Sequence, residues 1–251
     1  MKKKLALILA GTAMAAMVLA GCGEKNNASG EDAKTAESVE DKKTFTVGFD
    51  AEYPPYGYMD ENGEYTGFDL ELAEAVCKLE GWELVKKPLN WDSKDMELNS
   101  GSIDCIWNGF TMNGREDDYT FSTPYVDNSQ VIVVAEKSGI DTLEDLAGKT
   151  VGVQAASAAL DLLKSEEEGG QKKLADTFGA LNEFADYNTA FTELQAGALD
   201  ALAIDVGVAN YQIKSRGDGY KILDETLNTE QYAIGFKKGN QELCDVVNAD
   251  L

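Results

Sequence analysis

The sequence predicts an α/β fold of two similar lobes, and three features predict it. From residue 44 onward, short apolar strands alternate with helical stretches. Two segments of the first half recur, in the same order, in the second half. The chain has only four prolines, and no low-complexity run follows residue 44.

The strand candidates are TFTVGF, DCIW, VIVV, TVGV, ALAI and YAIGF, each a short apolar run. FDLELAEAVCKLEG sets Phe68, Leu72, Val76 and Leu79 at helical spacing and ends on Gly81, a C-cap residue. DTLEDLAG offers Asp141 as an N-cap with Glu144 three residues later. QAASAALDLLKSEE starts a helix after TVGV, with Ser157 placed to cap it. Alternation of this kind implies largely parallel sheets flanked by helices.

The repeat supplies the two lobes. TVGFDA at 46–51 returns as TVGVQA at 150–155, an offset of 104, and ELNSGSIDCI at 97–106 returns as ELQAGALDAL at 193–202, an offset of 96. Each match pairs the same kind of element, a strand end or a helix–Gly–strand unit. About 200 residues shared between two lobes also fits ordinary domain sizes.

The first forty residues speak to location. MKKK is a basic start, LALILAGTAMAAMVLA a short apolar core, and LAGC its end. Residues 1–21 therefore read as a secretory signal, with an apolar run short for a membrane span. Leu19, Ala20, Gly21 and Cys22 resemble a bacterial lipobox, in which Cys22 becomes the lipidated first residue; an ordinary signal peptide is the alternative. Residues 22–43 are polar, with no aromatic residue and a single Val, and read as a flexible tether. The expected location is the cell surface, lipid-anchored to the outer face of the cytoplasmic membrane, or the periplasm if an outer membrane exists.

Charge and cysteine content narrow the partners. Removing the three lysines of the leader leaves 19 basic against 45 acidic residues, a formal charge of −26. That charge argues against nucleic acid and against adhesion to anionic lipid. Cys77, Cys105 and Cys244 remain after lipidation. Buried free thiols and a Cys77–Cys105 bridge both fit, and spacing does not separate them.

Ligands of open α/β sheets sit beyond the carboxyl ends of strands. In lobe 1 those ends lead to Asp50 and Asn108, and in lobe 2 to Gln154 and Asp205. Four polar side chains thus converge on one inter-lobe cleft, the default small-molecule site. Tyr53 and Trp91 offer flat walls for a ligand stem or cation. Tyr56 and Tyr58 fit better as packing around the turn at Pro54-Pro55. Arg115 is one of two arginines, and its planar fork matches a carboxylate in two hydrogen bonds. A surface ion pair with Glu116 or Asp117 is its plainer use; Arg216, among Gly and Asp, reads as a turn residue. The helix start at Ser157 and Ala158 presents free N–H groups suited to a carboxylate. An arginine, a helix start and Asp205 would together hold both charges of a zwitterion.

TVGFDAEYPPYGYMDENGEYTGFDLELA, ELNSGSIDCIWNGFTMNGREDDYTFSTPYVDNSQ and EDLAGKTVGVQAASAAL resemble, in order, the amino-acid-binding proteins of bacterial ABC importers, the family 3 extracellular solute-binding proteins. The resemblance runs from about residue 44 to the end. It implies a type II periplasmic-binding-protein-like fold of two lobes, each a mostly parallel sheet, joined by two crossover strands. Lobe 1 would span 44–128, lobe 2 129–230, and 231–251 would return to lobe 1; NQELCDVVNADL stops inside a helical pattern and reads as a truncated end. By the same resemblance Arg115 would bind the ligand carboxylate with N–H groups near Ser157 and Ala158, and Asp205 the ammonium. Tyr53 and Trp91 would flank the side chain, while Asp50, Asn108 and Gln154 would meet its polar end. Phe110 stands where relatives often carry Ser or Thr, so only its backbone is available there and Thr111 would substitute. Ala156-Ser157-Ala158 replaces the commoner Gly-Ser-Thr. The implied partners are a free amino acid and an importer permease, for a monomer without cofactor.

Asp50 and Glu52 disfavour an acidic ligand, because like charges would be buried together. A polar neutral or cationic amino acid remains. With no histidine in the chain, Ser-His-Asp, Cys-His and histidine-ligated metal sites are excluded. No G-x-x-x-x-G-K-[ST] occurs, and ENGEYTGFD lacks the order of a calcium loop. The reading is therefore a binding protein and not an enzyme. A carboxylate-dependent lyase or dehydratase on the same fold and a ligand sensor are the alternatives.

Overall fold

The computed structural model describes residues 39–217 and 219–251. The leader, Cys22 and the tether as far as residue 38 lie outside the described residues. The chain first runs through β1 (Thr44–Phe49), β2 (Glu52–Tyr53), β3 (Gly57–Met59), β4 (Tyr65–Thr66), α1 (Phe68–Glu80), β5 (Glu83–Pro88), α2 (Lys94–Asn99), β6 (Cys105–Ile106) and β7 (Tyr119–Phe121). Then come β8 (Val126–Ala135), β9 (Thr150–Gln154), α3 (Ala158–Lys164), α4 (Lys172–Ala175), β10 (Ala180–Phe184), α5 (Tyr187–Ala196), β11 (Ala201–Asp205), α6 (Val206–Arg216) and β12 (Tyr220–Ile222). The last elements are β13 (Asn228–Tyr232), β14 (Gly235–Lys237) and α7 (Gln241–Asp250).

The strands form two main sheets. The first has the order β5-β1-β6-β14-β7 and the second β10-β9-β11-β8-β12, with β13 also on β8. Each is parallel on one side, β5-β1-β6 and β10-β9-β11, and antiparallel on the other. The expectation of mostly parallel sheets thus holds for the halves that carry the repeat. β8 follows β7 of the first sheet, and β13 precedes β14. Residues 126–130 of β8 pair with β13, while residues 130–134 pair with β11 and 133–135 with β12. A two-stranded antiparallel ribbon therefore joins the two sheets.

Burial follows from this layering. β8 places Val131 and Val133 in one apolar cluster and Ile132 and Val134 in another, so its sheet is covered on both faces. In the first lobe Phe45, Val47 and Phe49 of β1 pack with Leu70 and Val76 of α1 and Leu243 and Val247 of α7. The repeat is physical as well as textual. Asp104 accepts the Thr46 N–H at 2.6 Å and donates its own N–H to the Thr46 carbonyl at 2.8 Å. Asp200 and Thr150 make the same pair of bonds, at 2.8 and 2.9 Å. A Cβ on Gly48 would lie 2.5 Å from Ile103, and one on Gly152 2.5 Å from Leu199.

Three local expectations change, and one open alternative is resolved. On α1 the buried residues are Asp69, Leu70, Ala73, Val76 and Cys77, whereas Phe68 and Leu79 are exposed; the stripe turns because buried Asp69 belongs to the inner face. DTLEDLAG forms only a single 3-10 turn, Glu144–Leu146. There the Asp145 carboxylate accepts from the Asp141 and Thr142 N–H groups, and Asp141 pairs with Lys221. YAIGF divides between β13 and β14 because the chain changes sheets there, with Ala233 N–H bonded to the Phe110 carbonyl at 3.0 Å. Cys77, Cys105 and Cys244 are all buried free thiols, with no bridge between Cys77 and Cys105.

Candidate functional site

The repeated strand ends meet across the lobes. Asp50 follows β1 and Gln154 ends β9, and the Gln154 Nε2 donates to Asp50 Oδ2 at 2.7 Å and to the Ala185 carbonyl at 3.1 Å. The other Asp50 oxygen accepts the Glu52 N–H at 2.9 Å. Burial raises Asp50 from 3.8 to about 6, against the pull of those hydrogen bonds. Asn108, just past β6, is buried with both amide atoms unpartnered. Gly57 is the close neighbour that makes room for it, since a Cβ there would fall 2.6 Å from Asn108 Oδ1.

Aromatic rings line the same region. Tyr53 lies 6.0 Å from Tyr187 of α5, ring to ring, and its hydroxyl is 3.4 Å from that of Tyr232. Tyr56 and Tyr58 do more than pack their own turn. The Tyr56 hydroxyl sits so close to Gly207 that a Cβ there would lie 2.3 Å away, and Tyr58 is 5.7 Å from Tyr211 of α6. Trp91 meets Phe110 edge-on at 5.8 Å. Phe110 is fully buried, its ring under the Arg115 guanidinium at 5.0 Å. Buried Lys94, whose amine is pushed down by burial, lies 5.1 Å over the Trp91 ring. Its Nζ donates to the Ala156 carbonyl across the cleft at 3.2 Å.

Arg115 reaches α3, the helix that Ser157 caps. Arg115 donates one terminal nitrogen to Asp161 of α3 at 2.7 Å and the other to the Thr111 carbonyl at 3.3 Å. Its partner is thus Asp161 of the opposite lobe rather than Glu116 or Asp117. Ser157 caps α3, accepting the Leu160 N–H at 3.2 Å and donating to the Gln154 carbonyl at 2.8 Å. Ala156 before it has φ 54°, a left-handed conformation that costs a non-glycine residue about 1–3 kcal/mol. A cavity of about 350 Å³ is lined by Thr111, Arg115, Ala158, Asp161 and Glu230. A second, of about 470 Å³, is lined by Trp91 and by Asp50, Glu52, Glu97 and Asp186.

The densest polar cluster surrounds Asp205, at the end of β11. Its Oδ1 accepts from Asn128 Nδ2 at 2.8 Å, Gln130 Nε2 at 2.7 Å and the Tyr232 hydroxyl at 2.6 Å. Glu230 Oε1 accepts from the same Asn128 and Gln130 nitrogens and from Thr111 Oγ1, each at 2.8 Å. Burial first, and Asp205 second, push the Tyr53, Tyr187 and Tyr232 hydroxyls well up, so they stay protonated. Beneath the loop that carries Asn108 and Thr111, buried Asp69 accepts the Gly109 N–H at 2.5 Å. Its own burial raises it from 3.8 to about 7.

The family model for bacterial extracellular solute-binding proteins, family 3, matches residues 45–251. The chain belongs to that family. The L-cystine-binding protein TcyJ of Escherichia coli (strain K12) is 30% identical over 94% of this chain and 85% of its own length. The arginine-binding extracellular protein ArtP of Bacillus subtilis (strain 168) is 34% identical over 100% of this chain and 92% of its own. Among solved structures, a histidine-bound substrate-binding protein of an ABC uptake transporter from Streptococcus pneumoniae aligns with a TM-score of 0.78 and 34% identity, over 84% of this chain and 87% of that one. The two-lobed type II fold is therefore that of this family 3 protein. Among the described residues, no helix is long and apolar enough to cross a membrane.

Several residues of the cleft escaped the reading of strand ends. Lys94 and Asp161 lie on helices, and nothing in their spacing marks them. Asn128, Gln130, Glu230 and Tyr232 carried a usable signal. They alternate at the period-2 spacing of strands in VDNSQV and NTEQY, so each ribbon strand turns two polar side chains to one face.

Proposed function

We propose that this family 3 protein captures a polar neutral or cationic amino acid between its lobes and delivers it to an ABC importer. The observation that carries the reading is a pair of unlike charges, one on each lobe: Arg115 on lobe 1, reaching across to Asp161, and Asp205 in its bed of donors on lobe 2. A zwitterion that spans both would draw the lobes together, since a ligand shifts such an equilibrium only by favouring one state. In this reading Arg115 leaves Asp161 for the α-carboxylate, aided by N–H groups at Ser157 and Ala158. Asp205 and Thr111 take the α-ammonium. Tyr53, Trp91 and Phe110 wall the side chain, and Asp50, Asn108 and Gln154 receive its polar end. The four carboxylates around Trp91 support a cationic or neutral side chain over an acidic one.

The lobes of this reading are 44–128 with 231–251, and 129–230. Relatives that are amino-acid-binding proteins support the substrate class and a permease partner. The LAGC run supports a signal peptide ending before a lipidated Cys22, hence a lipoprotein at the outer face of the cytoplasmic membrane. The ligand leaves unchanged, without catalysis; recovery of a converted product would overturn that part. A thermal-shift screen of the twenty amino acids tests the whole. A ligand at about 1,000 times its Kd should add roughly 4 kcal/mol of stability, and a flat response to all of them would refute the substrate class.

A further inference from the structure

Glu230 stands beside Asp205, yet holding an ammonium requires only one of them. Two amide nitrogens bridge the pair: Asn128 Nδ2 lies 2.8 Å from both Asp205 Oδ1 and Glu230 Oε1, and Gln130 Nε2 lies 2.7 and 2.8 Å from the same two oxygens. Those last two contacts bring the oxygens within 5.5 Å of each other at most. Both residues are buried, 4% and 6% exposed. Neither amide can be reversed, because its oxygen would then face two carboxylates. As placed, Asn128 Oδ1 and Gln130 Oε1 are buried without a hydrogen-bond partner. Acceptors therefore outnumber donors in this cluster.

Among the described residues, the groups around this pair supply no counter-charge. Tyr187 of α5 and Tyr232 of β13 stay neutral, and Thr111 gives only a hydroxyl. Arg115 lines the same cavity as Glu230 but is paired there with Asp161. Two buried carboxylates this close repel, and one proton relieves the repulsion. Burial, then Asp205, raise Glu230 from 4.5 to about 7.

We infer that Glu230 carries a proton while the cleft holds no ligand and gives it to solvent when a ligand ammonium settles against Asp205, so that capture is proton-linked. The inference rests on the amino-acid reading above. Its charge balance is simple. One carboxylate and one carboxylic acid carry a single negative charge before binding. Two carboxylates and an ammonium carry the same single charge afterwards, and the Glu230 O–H bond is the one that breaks.

Titration calorimetry of the full-length protein with each of the twenty amino acids, comparing phosphate with Tris for those that bind, reads the proton count. About half a proton should be released per ligand at pH 7, near one at pH 6 and about a tenth at pH 8, with affinity roughly tenfold higher at pH 8 than at pH 6. Glu230→Gln should lose the release at pH 7 and flatten that pH dependence. Binding heat identical in the two buffers, in the wild-type series alone, overturns the inference and leaves the amino-acid reading standing. So does release that survives in Glu230→Gln. No binding heat from any amino acid overturns the amino-acid reading, and this inference with it.

Discussion

Asp205 is 4% exposed and receives three donors from the ribbon strands, whereas Arg115 reaches the cleft held by Asp161, whose side chain is 64% exposed. One pole is thus built in advance and lacks only a cation; the other already has an anion, and a ligand carboxylate must displace it. An ion pair with so exposed a partner is worth only about 0–1 kcal/mol, so the exchange costs little. The buried pole has no such substitute. The comparison teaches that binding strength should concentrate at Asp205, with Arg115 supplying orientation through its two-pronged contact.

The sharpest way to break this comparison is Asp205→Ala. A buried ligand ammonium left without its partner should cost about 2–5 kcal/mol, a loss of roughly 30-fold to several thousandfold in affinity by calorimetry. An affinity within threefold of wild type would place the ammonium elsewhere. Next comes Arg115→Lys, which keeps the charge and removes the fork. Hydrogen bonds to charged groups are worth about 1.5–3 kcal/mol, so every responding ligand should weaken by roughly tenfold to a hundredfold. Unchanged affinity would mean that Arg115 serves only its pair with Asp161. The smallest effect, and the most discriminating, belongs to Asp161→Asn. Removing the competing anion should tighten binding by about two- to fivefold, in line with a pair worth under 1 kcal/mol; weaker binding would show that Asp161 supports the ligand rather than competing with it.

Much of this geometry was legible in the sequence wherever a residue type and a period agreed. The offset between TVGFDA and TVGVQA located Asp50 and Gln154, which prove to be bonded to each other, and the second offset located the strand that ends on Asp205. The inner face of α1 was not legible, because apolar spacing points to Phe68 and Leu79 while the helix buries Asp69 to hold the Gly109 N–H. Asp141 and Glu144 matched a capping box, but the Asp145 carboxylate took the free N–H groups first. Glu230 escaped because its meaning is pairwise. Nothing in NTEQY says that a second carboxylate, 25 residues earlier, shares its donors.

Gln130 is also the residue at which β8 changes partners, from β13 to β11. Its side chain touches Asp205 at the end of β11 and Glu230 on β13. A lever and its gauge therefore coincide in one residue. Any tilt of the ribbon against the second sheet must stretch or relax contacts at Gln130 itself, so occupancy of the cleft and the angle between the lobes can be coupled without a relay of intervening side chains.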